Sequence, residues 1–340
     1  MTVRLHDPLA FRGRVELVPV TSEALRGNAL GDPHERELPV YLPPNVDGPG
    51  DAELPVIFVL AAFTGRGQSQ LETHPWKRGL VARYDAAVAA GEARPAILAL
   101  PDCFTALGGS QYVNSSAVGR YEDHVADELV PLVDERYPTR RGARAVVGGS
   151  SGGFGALHLC MRRPGLFDAA ASISGDVGFE NVFGAEILAC LRGLVAYEGL
   201  PERFLEAFRE EPSLDGDGHA VINVLAMAAC YSPNPDAPLG FDLPFDLATG
   251  ERRDEVWQRW LAFDPLHAVA QHADALRALR LLYLECGLSD EFHLQWGLRR
   301  LVKRLAELDV PCVHEEHAGG HRGLARRVEP ALDRLAAALA

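Results

Sequence analysis

The sequence is poor in features that mark nucleic-acid-binding and membrane proteins. Lysine occurs only at positions 77 and 303, and the 340 residues carry a formal net charge of −14. Such an acidic chain argues against nucleic acid or anionic membranes as partners, because both require basic surfaces. No run of about 18 apolar residues is present, so we expect no membrane-spanning helix.

The chain also lacks the patterns of a secreted or metal-binding protein. Its N-terminus has no apolar stretch followed by a small-residue cleavage site, so we expect no signal peptide and a cytoplasmic location. Six cysteines are scattered without a CxxC pair, which favours reduced thiols. We predict no metal and no cofactor, and the sequence leaves open whether copies of the chain form a homo-oligomer.

The chain does contain a regular alternation of apolar strands and amphipathic helices. Continuous apolar runs at 55–61 and 96–100 predict strands that are buried on both faces. Alternating segments at 14–20 and 38–42 predict an antiparallel edge. Serial strand–helix units predict a mostly parallel, twisted sheet of about eight strands with helices on both faces.

This alternation stops between residues 177 and 268, where helical patterns are separated by loops rich in proline and glycine. Because the strand pattern resumes afterwards, we interpret 177–268 as a helical lid inserted into an α/β core. The core then comprises 1–176 and 269–340. A separate small helical domain is the alternative, and the proline- and glycine-rich joints suggest that a lid would be mobile.

One glycine-rich stretch, RAVVGGSSGGFGAL at 144–157, organises the rest of the chain. A β-branched run ends at Val147, small residues follow, and a helical pattern begins after Gly155. Strand, tight turn and helix are the context of a nucleophile elbow. The pattern G-x-S-x-G fits both Ser150 and Ser151, and the predicted strand end favours Ser150. The alternative is a phosphate-binding turn, although the stretch lacks the lysine and spacing of a P-loop.

A serine nucleophile needs an adjacent base, and parallel strands bring their carboxyl ends to one edge of the sheet. The polar residues at these predicted strand ends are Asp102, Ser150, Asp176, Asp290 and His321. The chain order serine, aspartate, histidine is that of α/β-hydrolases. We therefore predict Ser150 as the nucleophile, His321 as the base and Asp290 as the acid that orients the imidazole.

Asp290 and His321 both have competitors close by in the sequence. Asp290 could instead cap the helix predicted to begin at Phe292. The other candidates are Glu285 and Glu291 for the acid, and His314 and His317 for the base. His317 and His321 also have the i, i+4 spacing of a helical zinc site, but the glycines between them disfavour a helix.

Acyl chemistry also needs two backbone N–H groups directed at the developing oxyanion. We predict one from Ser151, the residue after the nucleophile. The second is predicted from the loop after the first central strand, from Phe63, with Thr64 as the next candidate. The long polar loop at 103–118 is of the kind that often carries function.

The elbow stretch resembles that of the esterase D-like family of α/β-hydrolases. This family includes S-formylglutathione hydrolases, feruloyl, acetyl and enterochelin-type esterases, and mycolyltransferases. Further similar segments are 121–138, 164–175, the GLSD turn at 287–290 and the GGH turn at 319–321. The resemblance again matches the nucleophile to Ser150. It implies an α/β-hydrolase fold and a serine esterase that works without a cofactor.

The substrate side of the resemblance is less complete. Where the family often has His-Gly or Ser-Gly, this chain has Ala61-Ala62, and the segment at 177–268 matches nothing in the family. Segment 111–115 is somewhat similar to the substrate-side loop of the thioester hydrolases. The predicted substrate-binding residues are Thr64, Asp102, Gln111 and Tyr112. The predicted activity is hydrolysis of a small or medium acyl ester or thioester; the alternatives are acyl transfer on the same triad and a non-catalytic binding protein.

Overall fold

The computed structural model describes residues 12–46, 53–71, 73–74 and 77–340. Eight of the described strands form one sheet: β1 (Arg14–Thr21), β2 (Glu35–Leu42), β3 (Leu54–Leu60), β4 (Ile97–Ala99), β5 (Thr139–Gly149), β6 (Ala169–Ile173), β7 (Leu281–Gly287) and β8 (Val313–His317). Their spatial order is β1-β2-β4-β3-β5-β6-β7-β8. Only the β1–β2 and β2–β4 pairs of this sheet are antiparallel. The predicted mostly parallel sheet with an antiparallel edge is confirmed.

Helices cover both faces of this sheet. In chain order they are α1 (Leu80–Ala89), α2 (Tyr121–Asp123), α3 (Val130–Arg136), α4 (Ser151–Arg162), α5 (Phe179–Leu194), α6 (Pro201–Glu210), α7 (Gly218–Tyr231), α8 (Asp254–Leu261), α9 (Pro265–Arg277), α10 (Leu294–Glu307) and α11 (Ala325–Ala338). A π-helical turn, His124–Leu129, joins α2 to α3. Helices α1 and α11 pack on one face of the sheet, and the other helices contribute to the core on the opposite face.

Strand β3 shows why the central strands are apolar throughout. Its residues Val56 and Phe58 belong to one hydrophobic core, whereas Ile57 and Val59 belong to the core on the other face. Successive side chains of a strand point to opposite faces. A strand with helices on both sides therefore needs apolar side chains at every position, and this explains the continuous run in the sequence.

Strand β2 begins before its predicted start at position 38, and the elbow strand and the last strand also differ from their predicted bounds. The elbow strand was predicted to end at Val147, but β5 continues to Gly149 because both following glycines remain paired with β6. The sequence pattern predicts the last strand at 310–315, whereas β8 spans Val313–His317. The sequence pattern also predicts a helix over about 76–90. The observed helix α1 begins at Leu80, and position 76 lies outside the described part of the chain.

Helix α9 was not predicted. Its start carries two standard signals: Asp264 accepts a hydrogen bond from the backbone N–H of Leu266, and Pro265 occupies the first helical turn. The helix packs against α4 and α10. The proposed boundary at residue 268 falls inside it.

The predicted lid is joined to the core through α7. All residues from Ala220 to Tyr231 are buried. The Tyr231 ring contacts Phe154 of α4, Phe179 of α5 and Trp260 of α8, with centroids 5.3–5.8 Å apart. A helix buried on every side belongs to the interior of a domain. The contacts thus favour a rigid cover over a mobile lid.

We expect backbone amides of α7 to exchange with deuterium more slowly than those of α6. Helix α6 buries only Pro201, Phe204 and Leu205, so it can open without disrupting the core. Hydrogen exchange followed by mass spectrometry, with and without a covalent active-site inhibitor, measures this difference. Fast exchange throughout α7 in the free protein would instead support the mobile lid.

Candidate active site

Ser150 lies at the tight turn between β5 and α4. Its backbone angles are φ 54° and ψ −128°, a region of backbone conformation that residues other than glycine rarely adopt. The Ser150 N–H donates to the carbonyl oxygen of Ile173 at 3.0 Å, which ties the turn to β6. Strain of this kind persists only where the surrounding structure enforces it, and it is frequent at active sites.

The glycines around Ser150 are needed because backbone segments approach closely. A Cβ atom on Gly148 would lie 2.3 Å from the carbonyl carbon of Gly152, and one on Gly152 would lie 2.4 Å from the carbonyl oxygen of Leu60. Both distances are far below van der Waals contact. The glycine pattern of the sequence therefore reflects the close packing of β3, β5 and α4.

The loops after β7 and β8 bring Asp290 and His321 to this turn. His321 Nε2 lies 2.9 Å from Ser150 Oγ, and His321 Nδ1 lies 2.9 Å from Asp290 Oδ2. Burial acts to raise the pKa of Asp290, but the hydrogen bond and charge of His321, together with hydrogen bonds from the Phe292 N–H and Ser174, hold this pKa below its ordinary value. The structure thus brings together the three residues that were predicted to act as nucleophile, base and acid.

Asp290 also makes the contact expected of a turn-capping residue. Its second oxygen, Oδ1, accepts the backbone N–H of Phe292 at 3.0 Å. The two oxygens therefore serve different partners, one the imidazole and one the backbone. The capping interpretation and the catalytic interpretation are compatible in this geometry.

The competing residues face other partners. Glu291 Oε2 accepts the backbone N–H of His321 at 2.5 Å, away from the imidazole. Glu285 is buried and accepts a 2.6 Å hydrogen bond from the Tyr283 hydroxyl. Further pairs are His317 Nδ1 with Glu285 at 3.0 Å and His314 Nε2 with Glu316 at 3.9 Å. Among the described residues, no group of three or more His, Cys, Asp or Glu is arranged to hold a metal ion.

Two of the three candidate oxyanion donors remain available. Ser151 is the first residue of α4, where a backbone N–H has no acceptor within the helix. The N–H of Phe63 makes no hydrogen bond within the described ranges, whereas that of Thr64 donates to the Gly108 carbonyl at 2.8 Å. Ser151 and Phe63 both border the cavity at Ser150.

A cavity of about 260 Å³ opens at Ser150. It is lined by Ala62, Phe63, Ser150, Ser151, Asp176, Val182, Phe183, His219, Asn223, Phe292, His321 and Leu324. Its wall includes four residues from α5 and α7 that sequence reasoning missed, namely Val182, Phe183, His219 and Asn223. Their participation depends on how the inserted helices pack, and no local motif signals it.

The four predicted substrate-binding residues lie outside the lining of this cavity. Asp102 is buried and pairs with Arg66 at 2.8 Å. The Tyr112 hydroxyl donates to the Ala61 carbonyl at 2.7 Å, and Thr64 lies in an exposed turn. Gln111 does not line the cavity itself but contacts a lining residue: its Nε2 donates to Asp176 Oδ2 at 3.0 Å.

The sheet order and the strained serine at the end of β5 define an α/β-hydrolase. Residues 28–309 match the family model described as "Putative esterase", and the chain belongs to this family. Family membership makes it an enzyme, a carboxylesterase with small-molecule ester substrates. The family and fold expected from the sequence are confirmed.

Solved structures of low sequence identity share this fold. A ferulic acid esterase aligns with a TM-score of 0.59 and 18% identity, covering 96% of this chain and 99% of its own. The S-formylglutathione hydrolase of Agrobacterium tumefaciens aligns with a TM-score of 0.58 and 16% identity, over 97% of both chains. The fluorophosphonate-binding serine hydrolase FphF of Staphylococcus aureus aligns with a TM-score of 0.57 and 13% identity, over 96% of this chain and 98% of its own.

A sequence match covers a smaller part of the chain. The uncharacterized protein YbbA of Bacillus subtilis (strain 168) is 30% identical over 84 residues, which are 24% of this chain and 31% of YbbA. The match therefore spans about a third of that relative. No helix in the described parts of the chain is both long enough and apolar enough to cross a membrane.

Proposed function

We propose that the chain is a serine carboxylesterase that hydrolyses a small acyl ester through Ser150, His321 and Asp290. The observation that carries this proposal is the continuous hydrogen-bond path from the buried Asp290 through His321 to Ser150. Each residue has the chemistry its role requires: a hydroxyl nucleophile, an imidazole base and a carboxylate that fixes the imidazole tautomer.

The reaction proceeds in two halves through an acyl-enzyme. Ser150 Oγ attacks the ester carbonyl carbon while His321 Nε2 takes the hydroxyl proton. The tetrahedral intermediate collapses, the C–O bond to the alcohol breaks, and Nε2 returns the proton to the leaving oxygen. Water then attacks the acyl-enzyme with His321 again as base, which releases the acid and restores Ser150.

The oxyanion of each tetrahedral intermediate is stabilised by backbone N–H groups of Ser151 and Phe63. Neither N–H group has another acceptor among the described residues, and the N-terminus of α4 adds a favourable partial positive charge. Side chains are not needed for this role, so Ala61-Ala62 can replace the family's more frequent residues before Phe63.

The size of the cavity limits the substrate. Its volume of about 260 Å³ lies below the roughly 300–1,000 Å³ that is usual for drug-sized ligands. We therefore infer a small acyl ester, and favour it over medium and longer chains.

This function is tested with p-nitrophenyl esters from acetate to octanoate and with a fluorophosphonate label. We expect highest kcat/KM for acetate or butyrate, falling with chain length because the cavity cannot enclose a longer acyl group. Intact mass and peptide mapping should show one label per chain, on Ser150. A protein that is not labelled and hydrolyses none of these esters contradicts the proposal.

Hydrolysis and acyl transfer are separated in the same assay. Adding an acceptor alcohol such as glycerol to the p-nitrophenyl butyrate reaction allows both products to be counted by chromatography. We expect butyric acid to dominate. Glyceryl butyrate as the main product in dilute glycerol would favour acyl transfer.

A further inference from the structure

Asp176 is a buried carboxylate in the wall of the candidate active site. It follows β6, is 8% exposed, and lines the same cavity as Ser150. No arginine or lysine of the described chain forms an ion pair with it, in contrast to Asp102, which pairs with Arg66. An ionised group that is buried without an arginine or lysine partner is costly, so this carboxylate calls for a functional explanation.

Asp176 accepts hydrogen bonds from uncharged donors, which stabilise its ionised form but do not cancel its charge. Oδ2 accepts the 3.0 Å hydrogen bond from Gln111 Nε2, and Ser151 is a further hydrogen-bonding neighbour. Burial raises the pKa of Asp176 to about 6, with the charge of Asp290 acting in the same direction and Gln111 and His321 opposing. The side chain therefore presents a hydrogen-bond acceptor to the cavity.

Gln111 is held in place to make this contact. The residue is 1% exposed, and both Gln111 and Tyr112 have positive φ angles, 52° and 56°. The hydrogen bond from Tyr112 to the Ala61 carbonyl fixes the loop next to the oxyanion region. The Gln111 amide also donates to the sulfur of Met227 in α7 at 2.7 Å, so two consecutive strained residues place it between α7 and the Asp176 carboxylate. This arrangement indicates a positioning role for the loop.

The remainder of the cavity wall near Asp176 is largely apolar. Phe63, Val182, Phe183 and Phe292 form much of it, and the polar side chains besides Asp176, Ser150, Ser151 and His321 are His219 and Asn223. An aliphatic substrate would displace water from the carboxylate and supply no donor in return. A substrate with a donor at this position would instead pair with it, which is the arrangement that gives the strongest discrimination.

We propose that Asp176 is the specificity-determining residue of this cavity, and that the enzyme takes esters carrying a hydroxyl or ammonium group within reach of the Asp176 carboxylate. This proposal rests on the serine esterase function proposed above.

The test compares kcat/KM for esters that differ only in the donor, followed by acid release in a pH-stat. Methyl 3-hydroxybutanoate against methyl 3-methylbutanoate places a hydroxyl or a methyl in the acyl part. The pair 2-hydroxyethyl butanoate and propyl butanoate places a hydroxyl or a methyl in the alcohol part. Methyl 3-aminobutanoate, compared with methyl 3-methylbutanoate, places an ammonium group in the acyl part. Wild type, Asp176→Asn and Asp176→Leu are compared, each normalised to the fraction labelled by fluorophosphonate.

We expect wild type to prefer the donor-bearing ester of at least one pair by about tenfold or more. Asp176→Leu should abolish or reverse this preference. Asp176→Asn can still accept a hydrogen bond, so it should keep a hydroxyl preference within a few-fold and lose any ammonium preference. Which pair responds tells whether the donor belongs to the acyl or the alcohol part.

Asp264→Asn is the matched control. Asp264 is also buried, but it accepts backbone N–H groups of Gly178, Phe179 and Leu266 and does not line the cavity. The Asp264→Asn substitution should lower Tm and leave unchanged the kcat/KM ratios between the donor-bearing and donor-free esters. Ratios that do not move in either Asp176 variant, with labelling intact, overturn the proposal. A wild type that is neither labelled nor active overturns the esterase function as well, so the two failures are distinguishable.

Discussion

Ser150→Ala is expected to lower kcat for p-nitrophenyl butyrate by roughly four to six orders of magnitude. The hydroxyl that accepts the acyl group is removed, and the His321 imidazole at 2.9 Å then has no nucleophile to activate. Alanine keeps the strained backbone conformation at φ 54°, so stability should change by no more than about 1 kcal/mol. Steady-state kinetics and thermal unfolding on the same preparation measure both effects.

Ser151→Ala is the control for this prediction. It removes the alternative hydroxyl but keeps the backbone N–H that we place in the oxyanion hole. We expect its activity to remain within about tenfold of wild type, because oxyanion stabilisation uses the main chain. Loss of activity in Ser151→Ala alone, with Ser150→Ala still active, would move the nucleophile by one residue.

The fold could be predicted from the sequence because its signals are local or periodic. The apolar run of β3 follows directly from burial on both faces, and the antiparallel edge follows from the alternating segments of β1 and β2, which residues 22–34 connect. The strand end at the elbow was placed two residues early, since glycine has low strand propensity although Gly148 and Gly149 remain in the ladder. Pairing with β6 outweighed that propensity.

The proximity of Ser150, Asp290 and His321 could also be predicted, although they are far apart in the chain. The contacting pairs are separated by 31 and 171 positions. Parallel strands place their carboxyl ends at one edge, so a residue just after a strand is brought near others of its kind. The same rule led to the prediction that Asp102 binds substrate. The rule does not specify the direction of a side chain, and that of Asp102 points to Arg66.

The cavity wall could not be predicted. Val182 and Phe183 of α5, and His219 and Asn223 of α7, reach the site only through the packing of the inserted helices. That packing depends on a long-range aromatic cluster around Tyr231, which has no short-range pattern. Asp176 was visible as a polar residue after a strand, whereas the absence of an arginine or lysine partner for it among the described residues became apparent only in three dimensions.

Asp290→Asn is expected to reduce kcat by about 10⁴-fold while lowering stability only modestly. The asparagine oxygen can still accept the Phe292 N–H that Oδ1 accepts now at 3.0 Å. Its amide N–H would instead face His321 Nδ1 and favour the tautomer with the proton on Nε2. That nitrogen then cannot take the Ser150 proton. Kinetics, Tm and the imidazole ¹⁵N shifts of His321 measure turnover, stability and tautomer separately.

The pH dependence of the difference in stability between wild type and Asp290→Asn gives a further check on the role of Asp290. The pKa of Asp290 in the folded state lies below its ordinary value of 3.8. The carboxylate therefore stabilises the fold above this ordinary pKa, and the stabilisation is lost as the pH falls through the folded-state pKa. The Tm difference between wild type and Asp290→Asn should be largest near neutral pH and shrink in acid.

Asp264→Asn serves as a matched aspartate control, because Asp264 caps α9 without contacting His321. We expect it to lower Tm with turnover per labelled molecule preserved and the His321 tautomer unchanged. If Asp290→Asn behaved in the same way, Asp290 would be a turn cap and another group would have to orient the imidazole. Glu291 is the nearest candidate in the chain, yet it holds the backbone N–H of His321, so Glu291→Gln would then be the next variant to measure.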